Sequence, residues 1–140
     1  MAPFRDGTAE DAHTIATTEA AAASHPWRED QIRASLQATS SLSMVHQSNA
    51  HVLISVAGPC ADVLTVAVHP SHQRRGIAKQ LLKAAHGRLQ SLGVLEVFLE
   101  VRTDNGPARG LYEHLGYSTV GERKKYYDDG CDAVVMRLDL

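Results

Sequence analysis

Cysteine, aromatic residues and an excess of either charge are all scarce in this sequence. Its 140 residues include two cysteines and 5% aromatic residues, and the formal net charge is −2. Cys60 and Cys131 form no metal-binding or redox spacing, and two isolated thiols are typical of a reducing cytoplasm. The small net charge argues against a nucleic-acid-binding surface. We therefore expect a cytoplasmic protein without a nucleic-acid partner.

Long apolar runs and linker-like stretches are also missing. No run approaches the roughly 20 apolar residues of a membrane span, and Met1 is not followed by the basic and apolar regions of a signal peptide. No repeat, charge block or Gly/Ser/Pro-rich stretch divides the chain. We therefore expect a single domain over residues 1–140 with no membrane partner, and we favour a monomer.

Hydrophobic periodicity predicts strands that alternate with helices. The predicted strands cover residues 42–47, 51–56, 63–68, 94–101, 117–120 and 133–138. The predicted helices cover residues 8–24, 76–92 and 105–115, with Asp6 or Thr8 near the first N-cap and Asn105 at the start of the last. This order predicts an α/β protein in which a mixed sheet is flanked by helices.

The segment from Val63 to Ala78 carries the strongest functional signal. A β-branched strand is followed by a loop, two arginines, one glycine and the first turn of a long helix. The start of a helix exposes unpaired N–H groups and partial positive charge, which together bind phosphate groups. Arg74 and Arg75 add full positive charges, and Gly76 lets the backbone approach a ligand closely. The segment therefore predicts a diphosphate-binding site.

Two common phosphate-binding motifs do not fit this segment. A Walker A loop needs Gly-Lys-Ser/Thr, and a Rossmann fingerprint needs three spaced glycines. The segment instead reads Gln73-Arg74-Arg75-Gly76-Ile77-Ala78, which fits the pattern Gln/Arg-x-x-Gly-x-Gly/Ala. With the strand before it and His69-Pro70, it resembles the acetyl-CoA-binding motif of the GCN5-related N-acetyltransferases (GNAT superfamily).

A second block of residues extends this resemblance. It comprises residues 99–105 with Ala108, Leu111-Tyr112 and Leu115-Gly116-Tyr117, together with residues 123–127 and His25-Pro26-Trp27. The whole resembles the bacterial ribosomal-protein-alanine N-acetyltransferases, a branch of the superfamily that acetylates the N-terminal alanine of ribosomal protein bS18. It covers the chain from about Pro26 to Leu138.

The resemblance implies a fold and a cofactor site. In the GNAT fold, a central and mostly antiparallel sheet splays open between two parallel strands, here 63–68 and 94–101, and acetyl-CoA lies in the opening. The backbone amides of Val66 and Val68 would hold the thioester, and Asn105 would contact the pantetheine arm. The cofactor-binding residues implied in this way are Val66, Ala67, Val68, Arg74, Arg75, Gly76, Ile77, Ala78, Lys79 and Asn105.

Acetylation of an amine needs a group that removes a proton, because an α-amino group with a pKa of about 8 is largely protonated at neutral pH. Glu100, near the end of its strand, matches the family's general base, and Glu96 on the same strand face is its rival. Tyr112 matches the family's general acid, which supplies a proton to the departing CoA thiolate. Neither cysteine lies on the motif strands, so we expect direct transfer without a covalent intermediate.

The acceptor side is less specified by the sequence. Trp27, Tyr126 and Tyr127 are candidate substrate contacts, although a packing role for Trp27 is at least as good an interpretation. The resemblance implies a protein N-terminus as partner, with bS18 first. A small amine or lysine acceptor, or a non-catalytic acyl-CoA-binding module, remains open. His69 and His72 lack a third ligand at useful spacing, so we expect no metal.

Overall fold

The computed structural model describes residues 4–140 and contains one seven-stranded sheet. The strands are β1 (Phe4–Asp6), β2 (Ser41–His46), β3 (Ala50–Ala57), β4 (Cys60–Val68), β5 (Glu96–Arg102), β6 (Ser118–Arg123) and β7 (Ala133–Asp139). Their order across the sheet is β1-β2-β3-β4-β5-β7-β6. Only the β4–β5 pair is parallel, and the other five pairs are antiparallel.

Four α-helices cover the two faces of this sheet. They are α1 (Ala12–Ala22), α2 (Glu29–Gln37), α3 (Ile77–Ser91) and α4 (Gly106–His114). Helix α3 buries Leu81, Leu82, Ala85 and Leu89, a spacing that places all four on one helical face. The side chain of Asn105 accepts a hydrogen bond from the amide of Ala108 and so caps α4, as the sequence predicts.

The alternation of side chains along the strands divides the core in two. Met44, Val52 and Ile54 belong to the larger cluster, which includes the buried face of α3. Val45 and Leu53 point to the other face and pack with Ala12, Ile15 and Ile32 from α1 and α2. The helices on both faces therefore fix the position of β3 and β4 from two sides.

Strands β4 and β5 pair over only part of their length. Their register runs from Cys60 with Glu96 to Asp62 with Phe98 and stops there. At the same point β4 carries a bulge, because Ile54 pairs with Val63 and Leu53 with Thr65, which leaves Leu64 as the extra residue. A bulge bends its strand and increases the local twist. Beyond Asp62 the strand therefore stays with β3 and diverges from β5, which forms the predicted splay.

The predicted elements differ from the structure at the amino-terminal end. The helix predicted over residues 8–24 is a 3-10 turn (Ala9–Asp11) followed by α1, and it ends two residues earlier, at Ala22. Asp6 is not a helix cap: it lies in β1 opposite Met44, and Thr8 occupies the cap of the 3-10 turn. Neither β1 nor α2 was predicted, because three residues of strand and nine of helix carry little periodicity. Within residues 4–140 no helix is long and apolar enough to cross a membrane.

Candidate active site

The splay between β4 and β5 opens into a cavity of about 470 Å³. Residues 63–68 of β4 line one side and residues 99–102 of β5 the other. Four further groups complete the lining: Ala22 at the end of α1 with residues 23–25 after it, Gln73, Tyr127, and the α4 cap Asn105 with Ala108 and Tyr112 of α4. The predicted residues Val66, Ala67, Val68, Glu100, Asn105, Tyr112 and Tyr127 therefore share one cavity.

The backbone of β4 presents hydrogen-bonding groups to this cavity. His69 donates its amide to the carbonyl of Asn49 at 2.7 Å, which fixes the side on which β4 bonds to β3. Because backbone groups alternate along a strand, the amides of Val66 and Val68 point away from β3, toward the open side. The side-chain amide of Gln73 donates to the Val68 carbonyl at 2.9 Å, on that same side. The two amides are therefore available to a ligand between the strands.

Helix α3 begins at a turn with unusual backbone angles. Gly76 at its N-cap has φ of +75°, and Arg74 has φ of +66°. Left-handed angles are easy for glycine and cost other residues about 1–2 kcal/mol. They turn the chain sharply, so that the free amides at the start of a 15-residue helix lie beside two exposed arginines, Arg74 and Arg75. This is the geometry that binds phosphate groups. Ile77, Ala78 and Lys79 form the first turn, and Nζ of Lys79 lies 2.9 Å from Nε2 of His114 on α4.

Glu100 is the carboxylate at the open end of β5. Its side chain is 29% exposed, and its Oε1 lies 3.2 Å from Nε of Arg123. Glu96, the rival on the same strand face, contacts Arg137 and the thiol of Cys60 at the paired end of the strand. Glu96 is not part of the cavity lining, so of the two carboxylates only Glu100 meets a ligand bound there.

Tyr112 lies on α4 and is 9% exposed. Burial, with a smaller contribution from the nearby Tyr127, raises the pKa of its hydroxyl to about 12. The phenol is therefore protonated at neutral pH, and its O–H group can donate a proton or a hydrogen bond. Its ring packs edge-on against Tyr117 at 5.8 Å between ring centroids, which holds it at the cavity wall.

Aromatic and charged side chains meet at the rim of the cavity. Arg102 bridges Asp104 and Asp129, with nitrogen–oxygen distances of 3.0 and 2.7 Å, and its guanidinium lies 5.0 Å from the ring centre of Tyr127. The Arg102 guanidinium lowers the pKa of Asp129 to about 2. The ring of His25 also stacks on the ring of Tyr127, with 6.0 Å between the ring centroids. The loop before β7 and the loop after α1 therefore meet at Tyr127.

Two of the predicted substrate contacts lie elsewhere. Trp27 packs against the smaller core cluster and is not part of the cavity lining, so the packing interpretation describes its side chain. Tyr126 is 48% exposed beside Arg123 and is also outside the lining. Among residues 4–140 no cluster of three or more His, Cys, Asp or Glu side chains could hold a metal ion.

Sequence reasoning missed three residues of this site: Gln73, His25 and Arg102. Gln73 is the first letter of the glycine motif, and its bond to Val68 explains why an amide suits that position. His25 and Arg102 were quoted only as parts of motifs, because the contacts that define them span 102 and 27 residues of chain. Such contacts leave no trace in local spacing.

The comparisons with known proteins agree with this geometry. The family model described as Acetyltransferase (GNAT) family matches residues 9–117. The chain therefore belongs to the GNAT acetyltransferase family. The predicted fold is confirmed by a crystal structure of the ribosomal-protein-S18-alanine N-acetyltransferase from Escherichia coli: the TM-score is 0.90 at 29% identity, over 97% of this chain and 92% of that one.

Curated relatives support the predicted resemblance to one branch. A ribosomal protein bS18-alanine N-acetyltransferase from Escherichia coli strain K12 is 37% identical over 57% of this chain and 56% of its own length. The N-alpha-acetyltransferase RimI of Mycobacterium tuberculosis is 44% identical over 56% of this chain and 48% of its own length. The matches thus span about half the length of these curated relatives. Ard1 from Thermoplasma volcanium shares the fold, with a TM-score of 0.89 at 21% identity.

Proposed function

We propose that this protein is an acetyl-CoA-dependent N-acetyltransferase that acetylates the N-terminal α-amine of a protein. The observation that carries the proposal is the shared cavity: unpaired β4 amides, the Glu100 carboxylate and the Tyr112 hydroxyl all line the same opening. The bS18-alanine N-acetyltransferase names of the relatives make the N-terminal alanine of bS18 the first acceptor to test.

The residues present fit acetyl-CoA as the acetyl donor. The start of α3 with Arg74 and Arg75 suits a diphosphate, and the amides of Val66 and Val68 suit carbonyl oxygens of a pantetheine arm and thioester. Asn105 uses its side-chain oxygen to cap α4, which leaves its amide nitrogen for a polar contact. The first turn residues Gly76, Ile77, Ala78 and Lys79 contribute backbone and charge to the phosphate end.

Glu100 and Tyr112 have complementary roles in this proposal. Glu100 accepts a proton from the acceptor ammonium, directly or through a water molecule, which frees the nitrogen lone pair. The nitrogen then bonds to the thioester carbonyl carbon as the carbon–sulfur bond breaks. The Tyr112 hydroxyl donates its proton to the departing thiolate, which leaves as the thiol, and the second proton of the newly bonded nitrogen returns through water to the tyrosinate oxygen. No protein-bound acyl group is required.

The rim favours a peptide over a small amine as acceptor. Tyr127 stands between His25 and Arg102, and the exposed carboxylate of Asp128 follows it in the same loop. An extended peptide with a positively charged N-terminus complements such a groove. A lysine side chain or a small amine remains the alternative acceptor within the same chemistry.

The proposal is tested by incubating a bS18 N-terminal peptide with the protein and acetyl-CoA, followed by mass spectrometry. We expect one acetyl group on the α-amine. A matched peptide with a blocked N-terminus and the same lysines should gain none. Acetylation of the blocked peptide would reassign the acceptor to lysine. Tight acetyl-CoA binding by calorimetry with no product from peptides, lysines or small amines would support a non-catalytic acyl-CoA-binding module instead.

A further inference from the structure

A buried pair of ionisable side chains is connected by hydrogen bonds to two segments that contribute to the cavity wall. Glu19 on α1 is 0% exposed and His51 on β3 is 1% exposed. Oε2 of Glu19 lies 2.7 Å from Nε2 of His51. Neither residue belongs to the predicted site or lines the cavity, so the proposed acetyl transfer leaves this pair unexplained.

The Glu19 carboxylate collects hydrogen bonds from three separate segments. Besides His51, the hydroxyl of Thr65 on β4 donates to Oε2 at 2.8 Å. The backbone amide of Trp27 donates to Oε1 at 3.1 Å. Both carboxylate oxygens are therefore occupied, and α1, β3, β4 and the segment before α2 meet at one side chain.

The buried Glu19 carboxylate is not explained by its contribution to the free energy of unfolding. Burial raises the pKa of Glu19, and the hydrogen bonds from His51, Thr65 and Trp27 outweigh that effect, so the net pKa is lowered and the side chain stays ionised. An apolar side chain of the same size avoids the cost of removing the charge from water, and such replacements are often neutral or stabilising. What the carboxylate adds is a fixed direction for each of its donors.

Two of these donors lead directly to the cavity. Thr65 lines it from the unpaired part of β4, opposite the strand that carries Glu100. Trp27 ends the loop of residues 23–27, whose first residues Ala23, Ser24 and His25 also line it. The loop begins just after α1, and its last residue, Trp27, donates a hydrogen bond to Glu19 on α1. Glu19 therefore joins the end of the loop to the helix that precedes it. His25 on this loop stacks on Tyr127 at the rim.

We propose that Glu19, held by His51, is a positioning residue that fixes the loop of residues 23–27 and Thr65 as the acceptor side of the cavity. This role rests on the proposed acetyl transfer, since it concerns how the acceptor is held. Glu19 does not contact the acceptor or the acetyl donor. Loss of the carboxylate therefore loosens the acceptor side, whereas the diphosphate-binding start of α3, to which Glu19 makes no hydrogen bond, keeps its geometry.

The test compares Glu19→Gln with two milder variants and one control. Thr65→Val removes a single hydroxyl donor, and Thr65→Ser retains it. The control is Glu29→Gln, because Glu29 forms the same kind of pair with a histidine, His13, at an exposed site on α2. Trp27 is the only tryptophan, so quenching of its fluorescence by acrylamide reports on the loop even without turnover.

For Glu19→Gln we expect stronger quenching and a KM for the acceptor peptide raised by about tenfold or more, because a loosened acceptor side must be ordered before it binds the peptide. The affinity for acetyl-CoA by calorimetry should stay within about twofold. Thr65→Val should follow in the same direction, whereas Thr65→Ser and Glu29→Gln should match the wild type. If Glu19→Gln does not fold, Thr65→Val carries the test.

Two readouts keep this proposal separate from the proposed function. Absence of acetyl transfer by the wild type overturns the proposed function but leaves the quenching comparison intact. Unchanged quenching in both Glu19→Gln and Thr65→Val overturns the positioning role, whatever the activity. A fall in kcat with the acceptor KM unchanged also overturns it, because that result points to a part in the chemical step.

Discussion

Nε of Arg123 lies 3.2 Å from Oε1 of Glu100, although the two residues belong to strands separated by β7. The arginine side chain is 56% exposed and the carboxylate 29% exposed, so the pair sits at the edge of the cavity in contact with water. The ion pair holds the carboxylate at the open end of β5 without burying it. Contact with water suits the proton-accepting role that we propose for Glu100, because the proton can pass on to solvent.

Replacement of Glu100 by glutamine should reduce kcat by about 10²–10⁴, the usual contribution of a general base. Acetyl-CoA affinity should remain close to that of the wild type, because the amide keeps the size of the side chain. Glu96→Gln, on the same strand face but outside the cavity, is the matched control and should retain activity. Steady-state kinetics and calorimetry measure both quantities. Equal activity of Glu100→Gln and wild type would remove Glu100 from the mechanism.

The Tyr112 hydroxyl is tested by replacement with phenylalanine. We expect kcat to fall by about 10²-fold or more, because the departing thiolate loses its donor, with little change in acetyl-CoA affinity. Tyr117→Phe is the control: its hydroxyl bonds to His86 at 2.7 Å and does not line the cavity. That variant should lose stability rather than turnover. A fully active Tyr112→Phe would contradict the assigned role.

Gly76 is tested through its backbone angles. A Cβ added at this position meets no atom within 4 Å, so the expected effect of Gly76→Val comes from the positive φ. We expect the turn of the free variant to relax away from this angle, so that acetyl-CoA affinity falls by about tenfold because binding must restore roughly 1–2 kcal/mol of strain. Gly87→Ala, in open space on the same helix and without a positive φ, should instead stabilise the protein by about 1 kcal/mol. Calorimetry and urea unfolding separate the two outcomes.

Arg102 is tested as the support of Tyr127. Lysine cannot bridge Asp104 and Asp129 with a planar fork or stack in the same way on the ring. We expect Arg102→Lys to raise the KM for the acceptor with little loss of stability, since lysine keeps the positive charge and both partner carboxylates are largely exposed. Arg137→Lys is the control, because Arg137 also lies between two carboxylates, Glu96 and Asp139, away from the cavity. Similar acceptor KM values for both variants would argue against this role.

His86 gives the protein a predictable dependence of stability on pH. Burial lowers the pKa of this imidazole to about 4, whereas in the unfolded chain it is about 6.5. Between these values the unfolded chain binds a proton that the folded chain does not, so stability falls as the pH drops from about 6.5 to 4. Urea unfolding at pH 7 and pH 5 should show a smaller loss for His86→Gln than for the wild type. An equal loss of stability in both proteins would refute the assignment of this pH dependence to His86.

The sequence predicted the structure best where residues close together in the chain determine the local conformation. The start of α3, the cap at Asn105 and the strands on either side of the splay follow from turn residues, capping and periodicity within a few positions. The presence of Glu100 and Tyr112 at one cavity followed from the resemblance alone. The ties between Glu19 and His51 and between Arg102 and Asp129 were not predicted, because burial and packing bring these residues together from distant parts of the chain.

Because β4 and β5 pair over a short length, the stability of the folded protein depends on whether a ligand occupies the splay between them. Three residue pairs join the two halves of the sheet, and a ligand in the splay contacts both halves at once. A ligand that binds only the folded state adds to its stability by mass action, by about 2.7 kcal/mol at a concentration one hundred times the Kd. With acetyl-CoA as that ligand, the acetyl-CoA concentration in a cell would govern the resistance of the folded chain to proteolysis as well as the rate of catalysis.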